Sequence, residues 1–419
     1  MEMNRRVLLA ICCLAGACAK DPVYGSSTGG RGGSGGTGGA TGGVGGDGSG
    51  RGGATAGAGG TGGVVARGSG VLQHHNHASR DGVYIEPRLT LTAAASIHLD
   101  PTFAPTYAGP VWGQPLYLDG VRGGRDLIFV ATRLNHVLAF DAVTGQQLWD
   151  RALGTQAIRP STVCAPGPAG ISGTPIIDGD ARVLYVDALT GGDVNKHLVF
   201  ALDADTGATR PGWPVDVDAT ARFGTLAFDS RTQHQHGALA LVGGILFIPY
   251  GGFPGDCGVY HGWVVGISTT DPTRVTAWAT RTEGGGIWAP GGISSDGTSL
   301  YFATGNTRNP ELWGDGEAVF KLPLSLAPST NSTDFFVPAS WLALDATDLD
   351  LGCTAPVLFD VPAASPSSLL VLFGRTRTPI CSTATTSGAW DDLSSSPRCS
   401  SGSPSAPMSR SPRRTETSS

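Results

Sequence analysis

The chain is expected to be all-β, built from short strands grouped into repeated units of about four. Three observations predict this. Strongly apolar runs recur at wide intervals, a second series of short runs precedes them, and a small-residue turn returns after them.

The strongest runs are DLIFVAT (126–132), RVLYVDA (182–188), GILFIPY (244–250), SLYFATG (299–305) and SLLVLFG (368–374). Each is a few apolar, β-branched or aromatic residues bounded by Gly, Asp or Ser, which reads as a buried strand. The preceding series is GQPLYL (113–118), SGTPIID (172–178), GALALV (237–242) and TAPVLF (354–359). No stretch sustains a helical period. A repeat of roughly 55–65 residues with four strands per unit points to the blades of a β-propeller with long inter-strand loops. From Val111 to Gly374 four units look complete, and the fifth is expected to hold two strands.

The turn after the third strand is the most specific element. Residues 139–149 read AFDAVTGQQLW and 201–213 read ALDADTGATRPGW. Asp and Thr can close the turn with side-chain hydrogen bonds, Gly supplies a positive φ, and Trp can dock between blades. The segment resembles the quinoprotein-type (PQQ-like) propeller repeat, Ala-x-Asp-x-x-Thr-Gly-x-x-x-Trp. Ala139, Asp141, Thr144, Gly145 and Trp149 match it place for place; Ala201, Asp203, Thr206 and Gly207 match too, with Trp213 two residues late. A broader resemblance covers most of 71–374, through QHHNHASRDGVY, VCAPGPAGISGTPIID, GDCGVYHGW, GGGIWAPGG and DLDLGCTAPVLF, to secreted bacterial PQQ-like repeat proteins. That family has no agreed activity, so the resemblance implies a fold and not a reaction.

The N-terminus carries an export signature. Arg5 and Arg6 precede the apolar run VLLAICCL, and AGAC ends at Cys18. Residues 1–17 thus resemble a lipoprotein signal, although Ala15 stands where Leu is usual, and the resemblance implies a lipid on Cys18. The alternative is an ordinary signal cut near Ala17 or Ala19. Residues 18–70 are dominated by Gly, Ser, Thr and Ala, too poor in apolar surface to offset the entropy of ordering. The stretch from Gly25 to Gly63, as a coil, spans on the order of 35 Å and would hold a folded domain away from a membrane. The chain is therefore expected at the outer membrane, facing the periplasm or the cell surface, touching the membrane only through its lipid. A net charge of −6, with no basic stripe before the tail, argues against nucleic acid. Export allows a disulfide among Cys164, Cys257 and Cys353, with the pairing open.

Beyond Gly374 the strand pattern gives way to RTRTPICSTATTSGAW and a Ser/Pro/Arg-rich tail to Ser419. Only three Lys stand against 25 Arg, which suggests GC-rich coding DNA. Back-translated with such codons and read one base out of phase from Arg375, the segment becomes DAHAYLLDRDNLGGVG. The resembling family follows LLVLFG with a similar strand and turn. Residues 375–419 are accordingly read as a disordered tail of out-of-frame translation; the alternative is a genuine Ser/Pro-rich tail. An arc that stopped there would expose strand edges.

Candidate chemistry is sparse. Asp256, Tyr260, His261, Trp263 and Trp288 lie among glycines in GDCGVYHGW and GGGIWAP, where aromatics with His and Asp suit a sugar or cofactor face. Packing between blades is the competing role. His75 and His77, and likewise His234 and His236, lack a third ligand of metal-site spacing. Asp345, Asp348 and Asp350 lack calcium-loop spacing and are expected to cap turns. Neither Gly-x-Ser-x-Gly, nor His-Glu-x-x-His, nor a phosphate loop occurs, and the Cys-Cys pair of quinoprotein dehydrogenases is matched only by Cys12–Cys13 in the signal. These features imply a non-catalytic envelope scaffold that binds protein or polysaccharide and needs no cofactor. A PQQ- and calcium-dependent, sugar-oxidising enzyme is the alternative.

Overall fold

The computed structural model describes residues 70–87, 89–120, 125–157, 169–308, 311–362 and 367–375, with the backbone of 379–382. The signal, Cys18, nearly all of the Gly-rich segment, Cys164 and most of the C-terminal tail lie outside the described residues.

The strands form an arc of antiparallel blades, each a meander from an inner strand outward. Blade 1 runs Leu116–Leu118, Leu127–Ala131, His136–Asp141 and Gln147–Ala152, with Gly70–Val71 added on its inner edge. Blade 2 runs Ile176–Asp178, Val183–Thr190, Lys196–Asp203 and Val215–Asp216. Blade 3 runs Ala240–Val242, Ile245–Gly252, Trp263–Ser268 and Val275–Ala279, and Gln233–His234 pairs with the far end of its second strand. Blade 4 runs Ser294–Ser295, Ser299–Ala303, Val319–Pro323 and Phe335–Phe336. Blade 5 runs Val357–Asp360, Ser368–Phe373 and Pro379–Ser382, one strand more than the sequence suggests. The helices Leu91–Ala95, Val217–Thr220 and Trp341–Ala346 are a turn or so each.

Strand alternation explains the stacking. In Val183–Thr190 every residue is buried. Leu184, Val186 and Ala188 pack toward blade 1 with Phe129, Ala131 and Val137, while Val183 and Tyr185 pack toward blade 3 with Leu246, Ile248 and Trp263. A strand covered on both faces needs apolar residues at both parities, hence its unbroken apolar run. Blades 3 and 4 meet through Phe247, Val264 and Trp278 against Leu300, Phe302 and Phe320. Blades 4 and 5 meet through Tyr301, Ala303 and Val319 against Leu370 and Leu372.

The repeated turns join third to outer strands. Asp141 Oδ1 accepts from the Thr144 amide at 2.8 Å and the Thr144 hydroxyl at 3.0 Å, and Asp203 Oδ1 accepts from the Thr206 amide and hydroxyl at 3.0 and 2.8 Å. Gly145 and Gly207 adopt φ of +71° and +70°. Trp149 lies on the turn of the next blade: its indole donates to Ala204 O at 3.1 Å, and a Cβ on Gly207 would fall 2.7 Å from the ring. Trp213 rests on Tyr185 at the core between blades 2 and 3, with ring centroids 5.5 Å apart.

Inside the inner strands lies residues 70–80. Leu72 O accepts from Ile177 N in blade 2 at 2.8 Å, Ala78 O from Ser295 N in blade 4 at 2.8 Å, and Ser79 O from Leu358 N in blade 5 at 2.9 Å. Arg80, 1% exposed, donates to Leu239 O at 2.8 Å and Ile293 O at 3.0 Å, the approaches to the inner strands of blades 3 and 4. It also donates to His74 O and the Gln73 side chain. The segment thus crosses the axis and ties the inner strands of all five blades together.

Candidate functional site

In a meander, loops from second to third strand, and from outer strand to the next inner one, share one end of the blades. The Asp-x-x-Thr-Gly turns lie at the other. The cluster singled out in the sequence sits on the first of these faces, between blades 3 and 5.

Tyr260, 5% exposed, donates to Asp256 Oδ1 at 2.6 Å, and burial followed by the Asp256 charge raises its phenol well above the usual range. Its ring lies on Gly252, where a Cβ would approach within 2.5 Å, so that position must lack a side chain. Gly286 fills the space between Tyr260 and Trp288. Arg308 donates to the Asp256 carbonyl. His261 is clamped by Gln233, which donates to its carbonyl at 2.7 Å and accepts from its amide at 3.0 Å; its Nδ1 donates to Thr280 O at 2.9 Å. Trp263 does not join this group. It is 1% exposed and lies edge-on to Phe228 in the core between blades 2 and 3, which corrects its place among the ligand candidates. Cys257 is disulfide-bonded, while Cys353 is a buried thiol.

Trp288 opens onto a second group that the sequence obscured. Glu317 is fully buried at φ +50°, and its Oε2 accepts from Leu351 N at 2.6 Å. Burial, then the charges of Asp350 and Asp345, holds its carboxyl far above the usual range, and burial likewise raises Asp350. Asp350 accepts from Asn306 N at 3.1 Å and pairs with Arg375 at 2.8 Å. Asp345 accepts from the Thr307 amide and hydroxyl at 2.9 and 2.8 Å. Arg375 also pairs with Asp348 at 2.7 Å and lies 5.6 Å from the Trp288 ring centroid. The expected turn-capping aspartates therefore cap, but Asp345 and Asp350 cap the loop of the preceding blade rather than their own. Nothing local in Gly-Glu-Ala-Val marks Glu317; only the fold brings it to Asp350.

The histidine pairs are also engaged. His75 stacks on His74 with centroids 4.0 Å apart, and His77 Nδ1 meets Asp81 at 2.8 Å. Burial lowers His74 to about 3, so it stays neutral. His234 Nε2 lies 3.2 Å from the Ser172 hydroxyl, and His236 is edge-on to Trp112. Among the described residues no group of three or more His, Cys, Asp or Glu is arranged to hold a metal ion. In the group around Glu317, Asp350 and Asp345 Oδ2 accept from backbone amides, the Thr307 hydroxyl and Arg375, while Glu317 Oε1 is buried with no hydrogen-bond partner among the described residues.

Comparison with solved structures places this arrangement among β-propellers. Quinohemoprotein alcohol dehydrogenase ADHIIG from Pseudomonas putida HK5 superposes with a TM-score of 0.55 at 15% identity, over 77% of this chain and 48% of that one. A europium-containing methanol dehydrogenase gives 0.57 at 16% identity, over 78% and 58%. The likeness is one of fold. The chain spans about half the length of these propellers. BamB from Moraxella catarrhalis superposes with a TM-score of 0.27 at 12% identity, over 64% of this chain and 83% of that one. No family model and no curated protein matches the sequence.

Proposed function

We propose that the chain is an exported scaffold, anchored through Cys18 and spaced from the membrane by residues 18–70, that binds an envelope protein or polysaccharide. The binding surface in this reading is the loop face carrying Asp256, Tyr260, His261 and Trp288. The observation that carries it is the segment 72–80, which bonds to the inner strands of blades 2, 4 and 5 and ends in Arg80, buried against the Leu239 and Ile293 carbonyls. Binding is left to the loop face, where a half-buried Trp288 and a buried Tyr260 lie among glycines. Aromatic faces beside polar groups suit sugar rings and protein side chains alike.

The test is photo-crosslinking in a Gram-negative envelope, with the crosslinker at position 256 or 288 and a control at Thr144 on the opposite face. Adducts with one protein or glycan from the loop face only, together with fatty-acid labelling lost in Cys18→Ser, are expected. Equal adducts from both faces would defeat the scaffold reading. The likeness to two dehydrogenases supports the alternative, PQQ-dependent oxidation. Alcohol or sugar oxidation after reconstitution with PQQ and calcium would establish it.

A further inference from the structure

A buried ion pair lies beneath the loop face between blades 2 and 3. His197 and Asp187 stand on the third and second strands of blade 2, with side chains 1 and 0% exposed, and His197 Nδ1 meets Asp187 Oδ2 at 2.7 Å. Across the ring, Nε2 lies 3.2 Å from the Gln233 carbonyl. A carbonyl only accepts, so Nε2 carries a proton, and a second proton lies between Nδ1 and the carboxylate. The pair as a whole is neutral. Asp187 Oδ1 and the Tyr250 hydroxyl are buried with no hydrogen-bond partner among the described residues. Asp187 therefore leans on the imidazolium, and loss of one proton would leave an uncompensated charge in the core.

Gln233 joins this pair to the loop face. Its carbonyl holds His197, while its side chain donates to His261 O at 2.7 Å and accepts from His261 N at 3.0 Å. Gln233–His234 is a strand of two residues, paired with Gly252 and Gly251, and Tyr260 rests on Gly252. Asp187 and His197 stand on strands of eight residues each. The short strand is thus the weakest wall of the enclosure. Two other ionisable groups face the ring. Asp218, on the helix Val217–Thr220, reaches it through Ser230, whose hydroxyl donates to Asp218 and accepts from His197 N at 2.8 Å. Tyr250 comes from blade 3, its ring centroid 5.0 Å from that of His197. Asp229 and Arg231, in the same loop as Ser230, pair with each other at 2.7 Å.

We propose that the proton held by His197 and Asp187 is a latch on the loop face, and that its loss releases Gln233–His234 and loosens the surface at Tyr260 and His261. A neutral ring has one proton for two acceptors. Kept at Nδ1, it leaves the Nε2 lone pair facing the Gln233 carbonyl; kept at Nε2, it leaves Asp187 without a donor. The Asp187 charge and hydrogen bond outweigh burial and set this transition above pH 6.5, so the face is held in acid and loosened in alkali. What the latch regulates rests on the loop-face reading above; the latch itself does not.

Amide hydrogen exchange at pH 6 and pH 9, with each rate divided by its intrinsic rate, tests it. Protection at residues 233, 234 and 261 should fall by about tenfold or more at pH 9, while residues 183–186 keep theirs. The His197 ring should titrate over the same pH range by NMR. The double variant Asp187→Asn, His197→Gln keeps a donor for Gln233 O without a titrating pair, and its protection should not change with pH. Four results would overturn the proposal: constant protection in the natural chain, an equal fall at residues 183–186, the same fall in the double variant, or a His197 ring already neutral at pH 6. Because exchange needs no ligand, crosslinking from position 256 or 288 can fail with the latch intact, and the latch can fail with crosslinking intact.

Discussion

The interface between blades 2 and 3 and the end of the arc at blade 5 use similar chemistry to different effect. In the first, His197 and Asp187 meet at 2.7 Å, both essentially inaccessible, inside a ring of Tyr250, Phe228 and Trp263. His197 also reaches Gln233 O, and its amide donates to the Ser230 hydroxyl at 2.8 Å. At blade 5, Glu317 and Asp350 are as deeply buried, but their cation, Arg375, is part-exposed and comes from the residue at which the strand pattern breaks down. A polar group enclosed by two complete blades has its partners set by both. At the end of the arc, one side of the network depends on a loop.

Arg80 provides the strongest way to break this contrast, because it joins the middle of the arc to its end. Its partners are four neutral oxygens, so Arg80→Ala would strand the Leu239 and Ile293 carbonyls and open a cavity on the axis. A loss of about 3–5 kcal/mol is expected by urea denaturation, with blades 4 and 5 losing exchange protection before blades 1 and 2. Simultaneous loss in all blades would mean that the two regions are one cooperative unit.

The His197–Asp187 pair sharpens the comparison through pH. Burial pulls the imidazole down, but the Asp187 charge and hydrogen bond outweigh it, leaving the folded pKa above 6.5. The folded state holds this proton more tightly than the unfolded one. The stabilisation is therefore complete below pH 6.5 and is lost as pH rises through the higher folded value. Asp187→Asn should cost about 3 kcal/mol at pH 6 and flatten this dependence. An unchanged slope in melting temperature between pH 6 and 8.5 would rule the pair out as its source.

Glu317→Gln should have the smallest effect. The carboxyl's raised pKa means that the folded state favours the protonated form, a contribution lost as pH rises from the ordinary glutamate value through the folded one. The amide replaces that form, so stability should change little at pH 5 and rise by about 1–2 kcal/mol at pH 9. A fall at pH 9 would show that ionised Glu317 is needed at the blade 5 junction.

The second strands were legible because burial on both faces leaves an unbroken apolar run. The turns were legible because Asp, Thr and Gly there act within a few residues of one another. Ser294–Ser295 was missed as the inner strand of blade 4, since two serines carry no apolar pattern and the pairing is imposed by Tyr301 and Leu300 opposite. Pro379–Ser382 was missed because the sequence reading placed it in the disordered tail 375–419, whereas its backbone pairs with Ser368–Phe373. At the candidate site, the glycines with Tyr260 and Trp288 were visible, but Trp263 looked equivalent to them until strand parity turned it inward.

The sequence by itself determined the repeat, its strand order and its turns, because these rest on periodicity and short-range hydrogen bonds. Tertiary structure alone decided that Arg80 reaches the Leu239 and Ile293 carbonyls and that Glu317 meets Asp350. Each depends on contacts between residues far apart in the chain. Only the curvature of the arc brings such residues together.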